Sequence, residues 1–211
     1  MRESDQQKLE RLAATENALC REAGRMLLIA GMDEVGRGPL AGPVVTACVC
    51  LDLDNLVPGV DDSKKLSEKK REALYPLLME KAVYARTAWV WQDEIDRVNI
   101  LNATKMAMRQ CAEGFRGDLI LVDAVEGLAL PCPSRSLIHG DALSYMIAAA
   151  SVIAKVERDR YMIRADELYP GYGFKDNKGY GTKEHIQAIR EKGPCPLHRR
   201  SFIGHFIGVN A

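Results

Sequence analysis

A glycine- and proline-rich loop, Gly36-Arg37-Gly38-Pro39-Leu40-Ala41-Gly42-Pro43, follows one residue after two adjacent acids, Asp33-Glu34, and lies between two short apolar runs. Met26 to Met32 and Val44 to Leu51 are short, apolar and bounded by turn residues, which suits buried strands. The acids therefore sit at a strand edge. Neighbouring side chains of an ideal strand point to opposite faces, so Asp33 and Glu34 share one site only if the strand ends or twists there. Gly36 and Gly38 permit that, and they also let main-chain amides approach a substrate that a side chain would hold off. Arg37 supplies charge for phosphate or sugar oxygens. The bland alternative is an exposed acidic turn leading into a tight hairpin. A nucleotide-binding loop fits poorly, because the Gly-Lys-Ser/Thr ending of a P-loop and the spacing of a dinucleotide fingerprint are both missing.

With 211 residues the chain has enough length for one main core and a small appendage. Its 47% apolar and 27% charged residues are ordinary for a soluble globular protein, and no apolar run is long enough to span a bilayer. The segment Met1 to Arg25 is charged and helix-like, without the apolar stretch and cleavage site of a secretion signal, so a cytoplasmic location is expected. Six cysteines without a Cys-x-x-Cys pair read as reduced thiols. Cys195 and His198 have a spacing that zinc could use; with no second pair, a structural thiol and a surface imidazole are expected instead. Basic and acidic residues balance at 29 each, so global charge says nothing of a nucleic-acid partner. Between Lys175 and Arg200, however, seven basic residues face three acidic ones, which suits either phosphate contact or a solvated helix face.

Along the chain, helices are expected over Lys8 to Gly24, Ser67 to Lys81 and Asn102 to Glu113, and further strands over Val83 to Gln92, Leu119 to Val122 and Leu137 to His139. Asp123 ends the first of the latter two strands, and Asp141 stands at the start of a long alanine-rich helix, where an N-cap is its plainest role. Gly171, Gly173, Gly179 and Gly181 interleave with Tyr172, Phe174 and Tyr180 before a helix capped by Thr182 and running to Lys192. This predicts an α/β fold with a mixed sheet and a C-terminal appendage. Asp33, Glu34, Asp123 and Asp141 all fall at element ends, which in an open α/β sheet can converge from distant parts of the sequence. Together they suit divalent cations, which relieve the repulsion among carboxylates and serve phosphodiester hydrolysis.

With these strings in view, the chain resembles the ribonuclease HII family, the type 2 ribonucleases H, over nearly its full length. The resemblance is carried by Asp33 to Pro43, Asp62-Ser63-Lys64-Lys65-Leu66, Asn99-Ile100-Leu101, Ala148-Ala149-Ala150-Ser151 with Ala154-Lys155, Gly179-Tyr180-Gly181-Thr182, and His198-Arg199. It implies a ribonuclease H-like mixed five-stranded sheet flanked by helices, with an N-terminal helical extension over 1–25, a catalytic core over 26–165 and a helical substrate-binding appendage over 166–211. It implies an endoribonuclease that cleaves RNA paired with DNA and incises 5′ to single ribonucleotides in duplex DNA, leaving a 3′-hydroxyl and a 5′-phosphate. By the same resemblance Asp33, Glu34, Asp123 and Asp141 hold Mg2+ or Mn2+, Gly36-Arg37-Gly38 senses the ribose 2′-hydroxyl, and Tyr180 packs beside the following deoxyribose. Lys64 and the basic C-terminal segment are candidate phosphate contacts, and a monomer is expected. Asn177 stands where relatives often carry histidine, and Ile203-Gly204-His205 departs from the usual proline-containing ending.

Overall fold

The two apolar runs around the glycine loop pair antiparallel: β1 (Ile29–Val35) lies beside β2 (Val44–Leu51), with Asp33 opposite Ala47 and Glu34 opposite Thr46. The structure, a computed structural model, describes residues 4–207. β3 (Ala82–Val90) adds antiparallel to β2, while β4 (Leu119–Asp123) and β5 (Ser134–Leu137) add parallel on the other side, giving the order β3-β2-β1-β4-β5. The helices are α1 (Asp5–Leu12), α2 (Ala14–Ala23), α3 (Glu68–Lys81), α4 (Gln92–Val98), α5 (Ile100–Ala112), α6 (Gly140–Leu143), α7 (Tyr145–Leu168), α8 (Phe174–Asn177), α9 (Lys183–Lys192) and α10 (Arg200–Ile203). The expected mixed five-stranded sheet flanked by helices is present.

Strand alternation sorts the sheet into two apolar faces. Ala30, Met32, Cys48, Ile120 and Val122 pack with Ala103, Ala107 and Met108 of α5. Ile29 and Leu121 pack with Ile147 on the opposite face, where Ala47 and Val49 meet Ala148 and Ala149 of α7. Gly31 is what lets α7 come so close. A Cβ there would stand 2.0 Å from the Met146 carbonyl carbon, so a side chain would lift the start of the helix off the strand. The far half of α7 contributes Met162 and Ala165 to a further apolar cluster with Phe174, Ile189, Leu197 and Ile203.

Several element bounds differ from the sequence reading. β1 starts three residues later than the apolar run and continues through both acids, because Met26 to Leu28 are drawn off to Asp118, whose carboxylate accepts from the Leu28 amide at 2.8 Å. The expected N-terminal helix is two helices joined at Ala13, a bend that leaves Leu12 and Ala13 both buried. β5 precedes its expected position, since its polar residues Ser134, Arg135 and Ser136 are positioned by pairing with β4 and carry no apolar signal. α7 is capped by Ser144, whose hydroxyl accepts from the Ile147 amide, and Asp141 instead lies in the separate short helix α6. Cys195 is buried as expected, but the predicted surface imidazole of His198 is buried too.

Candidate active site

Strand register and side-chain parity place the acids. The β1–β4 ladder ends at Met32 opposite Val122, so Asp33, Glu34 and Asp123 emerge together at the same end of two neighbouring strands. Asp33 continues the row of Ile29 and Gly31 on the α7 face, and Asp123 continues that of Leu121; Glu34 continues the row of Ala30 and Met32 on the α5 face. Alternation starts the two acids from opposite sides of the strand, yet at its end the Glu34 carboxyl feels the charges of Asp123 and Lys64, so both acids reach the same group of charges. Asp141 is brought in by the turn after β5: the Gly140 amide donates to Asp123 Oδ1 at 2.8 Å. Asp33 and Asp141 are buried.

Burial pushes the Asp33 carboxyl well above the usual carboxylate range, and the charges of Glu34, Asp123 and Asp141 push it further. Burial also raises Glu34, against the nearby Arg37 guanidinium at 3.3 Å, and Glu34 Oε2 is buried with no hydrogen-bond partner. Asp123 is raised by burial despite the Gly140 amide. Lys64, in the short 3-10 turn Ser63–Lys65, places its ammonium 3.2 Å from Asp141 Oδ2 on a side chain that is 79% exposed. Burial lowers the Lys64 pKa, but Asp141, Asp62 and Asp33 together more than offset this, and the net shift is upward. Among the described residues no three His, Cys, Asp or Glu side chains are already gathered closely enough to hold a metal ion. The donors nevertheless fit a hard divalent cation: they are carboxylate oxygens, they crowd one another electrostatically, and one buried oxygen is left without a donor.

The glycine loop is held from behind. Arg199, fully buried, donates through Nε to the Gly42 carbonyl, through Nη1 to those of Arg37 and Pro39, and through Nη2 to those of Gly36 and Gly42, at 2.6 to 3.1 Å. Arg158, also fully buried, donates to the carbonyls of Pro43, Ala41 and Lys178. Burial lowers the pKa of both guanidiniums, Arg158 to about 10 and Arg199 to about 9, which leaves both charged at neutral pH.

The glycines of this loop are not equivalent. Gly36 has φ of +94°, and a Cβ there would stand 2.3 Å from Arg158 Nε. Gly38 has no such constraint; the nearest atom to a Cβ would be Tyr180 Cε1 at 3.8 Å. The fold needs a glycine at 36 and not at 38. Gly38, Arg37 and Tyr180 are all exposed, so loop and ring form one open face.

The family model for ribonuclease HII matches residues 30–205, nearly the whole described chain. The chain belongs to the ribonuclease HII family. It is 52% identical over 203 residues to the ribonuclease HII of Enterococcus faecalis, covering 95% of this chain and 78% of that one. Among solved structures it resembles the ribonuclease H2 of Pyrococcus horikoshii OT3, with a TM-score of 0.73 and 25% identity over 85% of this chain and 97% of that one. It also resembles the chain in the PCNA:RNase HII complex of Archaeoglobus fulgidus, with a TM-score of 0.70 and 26% identity over 82% of this chain and 94% of that one. The fold is thus ribonuclease H-like, and the protein is a hydrolase of the ribonuclease H class.

For this ribonuclease HII chain, the structure brings Asp33, Glu34, Asp123, Asp141 and Lys64 to one end of the sheet, and Gly36-Arg37-Gly38 beside Tyr180. Arg199, read in the sequence as part of a basic stretch suited to phosphate, does not face solvent at all. Arg158, His185 and the inward role of Arg199 escaped sequence reasoning, because a buried arginine or histidine looks like a solvated one until its neighbours are known. The one available signal was the His198-Arg199 string, which carried resemblance without a role.

Proposed function

We propose that this protein is an endoribonuclease that hydrolyses the RNA strand of RNA/DNA hybrids and incises on the 5′ side of single ribonucleotides embedded in duplex DNA. The observation that carries the proposal is the adjacency of the two sites: acids at the end of β1 and β4, with Asp33 and Asp141 buried, and directly past β1 a glycine loop whose exposed Arg37 and Gly38 lie beside Tyr180. Asp33, Glu34, Asp123 and Asp141 would hold two Mg2+ or Mn2+ ions, which when bound supply water activation and neutralise charge on the leaving oxygen. The main-chain amides around Gly38 and the Arg37 side chain recognise the ribose 2′-hydroxyl, the group that separates RNA from DNA. Gly38 suits this role because no side chain obstructs a sugar there. Tyr180 offers an apolar ring to the deoxyribose of the next nucleotide. Lys64, on an exposed stem beside Asp141, meets a neighbouring phosphate.

The products are a 3′-hydroxyl and a 5′-phosphate, which suits ribonucleotide excision repair behind DNA replication. We place the protein in the cytoplasm as a monomer; no described helix is long and apolar enough to cross a membrane. The test uses three duplexes: one with a single ribonucleotide, an RNA/DNA hybrid and an all-DNA control, each with Mg2+, with Mn2+ and with chelator. The expected result is incision of the first two, 5′ to ribonucleotides, and only with a divalent ion. Equal cutting of the all-DNA duplex, or an intact single-ribonucleotide duplex with either ion, overturns the proposal.

A further inference from the structure

The segment Cys195 to Arg199 lies between the two substrate-facing loops and bonds to both. Its main chain joins the glycine loop: the Gly42 amide donates to the Leu197 carbonyl at 2.8 Å, and the Arg199 amide donates to the Leu40 carbonyl at 2.9 Å. Ala41 and His198 form an isolated antiparallel bridge. The Arg199 guanidinium then uses its five N–H donors on the carbonyls of Gly36, Arg37, Pro39 and Gly42. Turned inward to this cation, those carbonyls no longer compete for the solvent side of the loop.

The preceding residue reaches the other loop. The Cys195 amide donates to His198 Nδ1 at 2.9 Å, so Nδ1 carries the lone pair and the proton is on Nε2. His198 Nε2 lies 3.0 Å from His185 Nε2, which must therefore accept. That leaves the His185 proton on Nδ1, where it is donated to the Tyr180 carbonyl at 2.8 Å. One amide hydrogen bond fixes both tautomers and ends at the backbone of Tyr180. A direct link closes the circuit, since the Leu40 amide donates to the Gly179 carbonyl at 2.8 Å.

We propose that His198 and Arg199 are positioning residues that set the spacing between the ribose-sensing loop and Tyr180, and so determine the preference for a ribonucleotide followed by DNA over continuous hybrid. The inference rests on the roles assigned above to the loop and to Tyr180. The hydrogen bonds of both side chains run to main-chain groups and to His185, not to the carboxylates, so the substitutions act on substrate choice. A junction needs a ribose at the loop and a deoxyribose at the ring at one fixed separation, whereas continuous hybrid can be engaged in many registers.

The test compares the full-length protein with Arg199→Lys, His198→Asn, His198→Gln and Tyr180→Ala. The readout is the ratio of kcat/KM on a single-ribonucleotide duplex to that on hybrid, at saturating Mg2+. Lysine cannot span the four carbonyls, and asparagine keeps the Cys195 bond while falling short of His185. Each is expected to lower the ratio by about tenfold, a change of about 1.4 kcal/mol. Glutamine reaches His185 and is expected to restore most of the ratio. Equal losses on both substrates, or no loss, overturn the proposal. An unmoved ratio in Tyr180→Ala as well overturns the reading of Tyr180, and the proposal with it. In the wild-type protein, amide hydrogen exchange at Leu40, Gly42 and Arg199 is expected to report one common opening, and independent opening likewise overturns the coupling.

Discussion

The carboxylate end of the sheet and the arginine-bound loop both bury charge of one sign, and they differ in what answers that charge. At Asp33, burial and three neighbouring acids raise the pKa together, Glu34 Oε2 has no donor, and the nearest cations are the peripheral side chains of Arg37 and Lys64. At Arg199, five donors meet main-chain carbonyls at hydrogen-bond distance, so the cation is satisfied by dipoles that the chain itself supplies. Crowded carboxylates short of donors suit a cation supplied from outside, while a cation met by main-chain carbonyls acts as a strut.

The sharpest way to break this contrast is to remove one charge at each end. Asp123→Asn is expected to lower kcat by about 10³-fold. In chelator the same variant should melt above the wild type, because one member of a self-repelling group is gone; a lower melting temperature would show that the acid end is already satisfied. Arg199→Met is expected to move stability the other way, by about 3 kcal/mol or more, since it leaves buried carbonyls without donors. Urea unfolding checks this, and an unchanged midpoint would make Arg199 dispensable to the loop.

A pH titration probes the strut at His198. Burial, with the neighbouring His185 and Arg200 adding to it, lowers its pKa to about 4, below the ordinary 6.5, and Tyr172 and Phe174 pack around the ring pair. Protonation therefore favours the unfolded chain. The contribution is fully present above pH 6.5 and is lost as pH falls towards 4, the loss amounting to about 2 kcal/mol at pH 5. Unfolding of the wild type against His198→Gln across that range isolates it; parallel curves would show no such dependence. The smallest stability effect separates the two glycines. Gly36→Ala should cost about 2 kcal/mol through its positive φ and the Arg158 contact. Gly38→Ala should cost less than about 0.5 kcal/mol while impairing cleavage of the single-ribonucleotide duplex; full activity in the Gly38→Ala variant would remove Gly38 from recognition.

Elements with apolar periodicity were legible in the sequence: β2, β4, α3 and α5 lie within a few residues of where the pattern put them. Those held by pairing or contact were not. β5 carries Ser134, Arg135 and Ser136 and exists through its ladder with β4, and α4 is seven residues with little pattern of its own. The acids are recognisable as residue types at element ends, yet the sequence places Asp141 at the start of the long helix, because it does not show that Ser144 caps α7 and leaves α6 separate. The buried state of His198 and Arg199 was hidden for a related reason: burial is a property of what packs on a side chain from far along the chain.

The sequence by itself determined the two strands, the glycine-rich loop between them, and the supply of carboxylate oxygens. These are local matters of period, backbone freedom and side-chain chemistry. Only the tertiary structure decided that Asp33 and Asp123 share one face through parallel register, that Gly31 admits α7 and with it the turn bearing Asp141, and that one buried arginine faces inward to fix the loop. Register and close packing join residues tens of positions apart, and that coupling depends on which surfaces meet rather than on any short stretch of sequence.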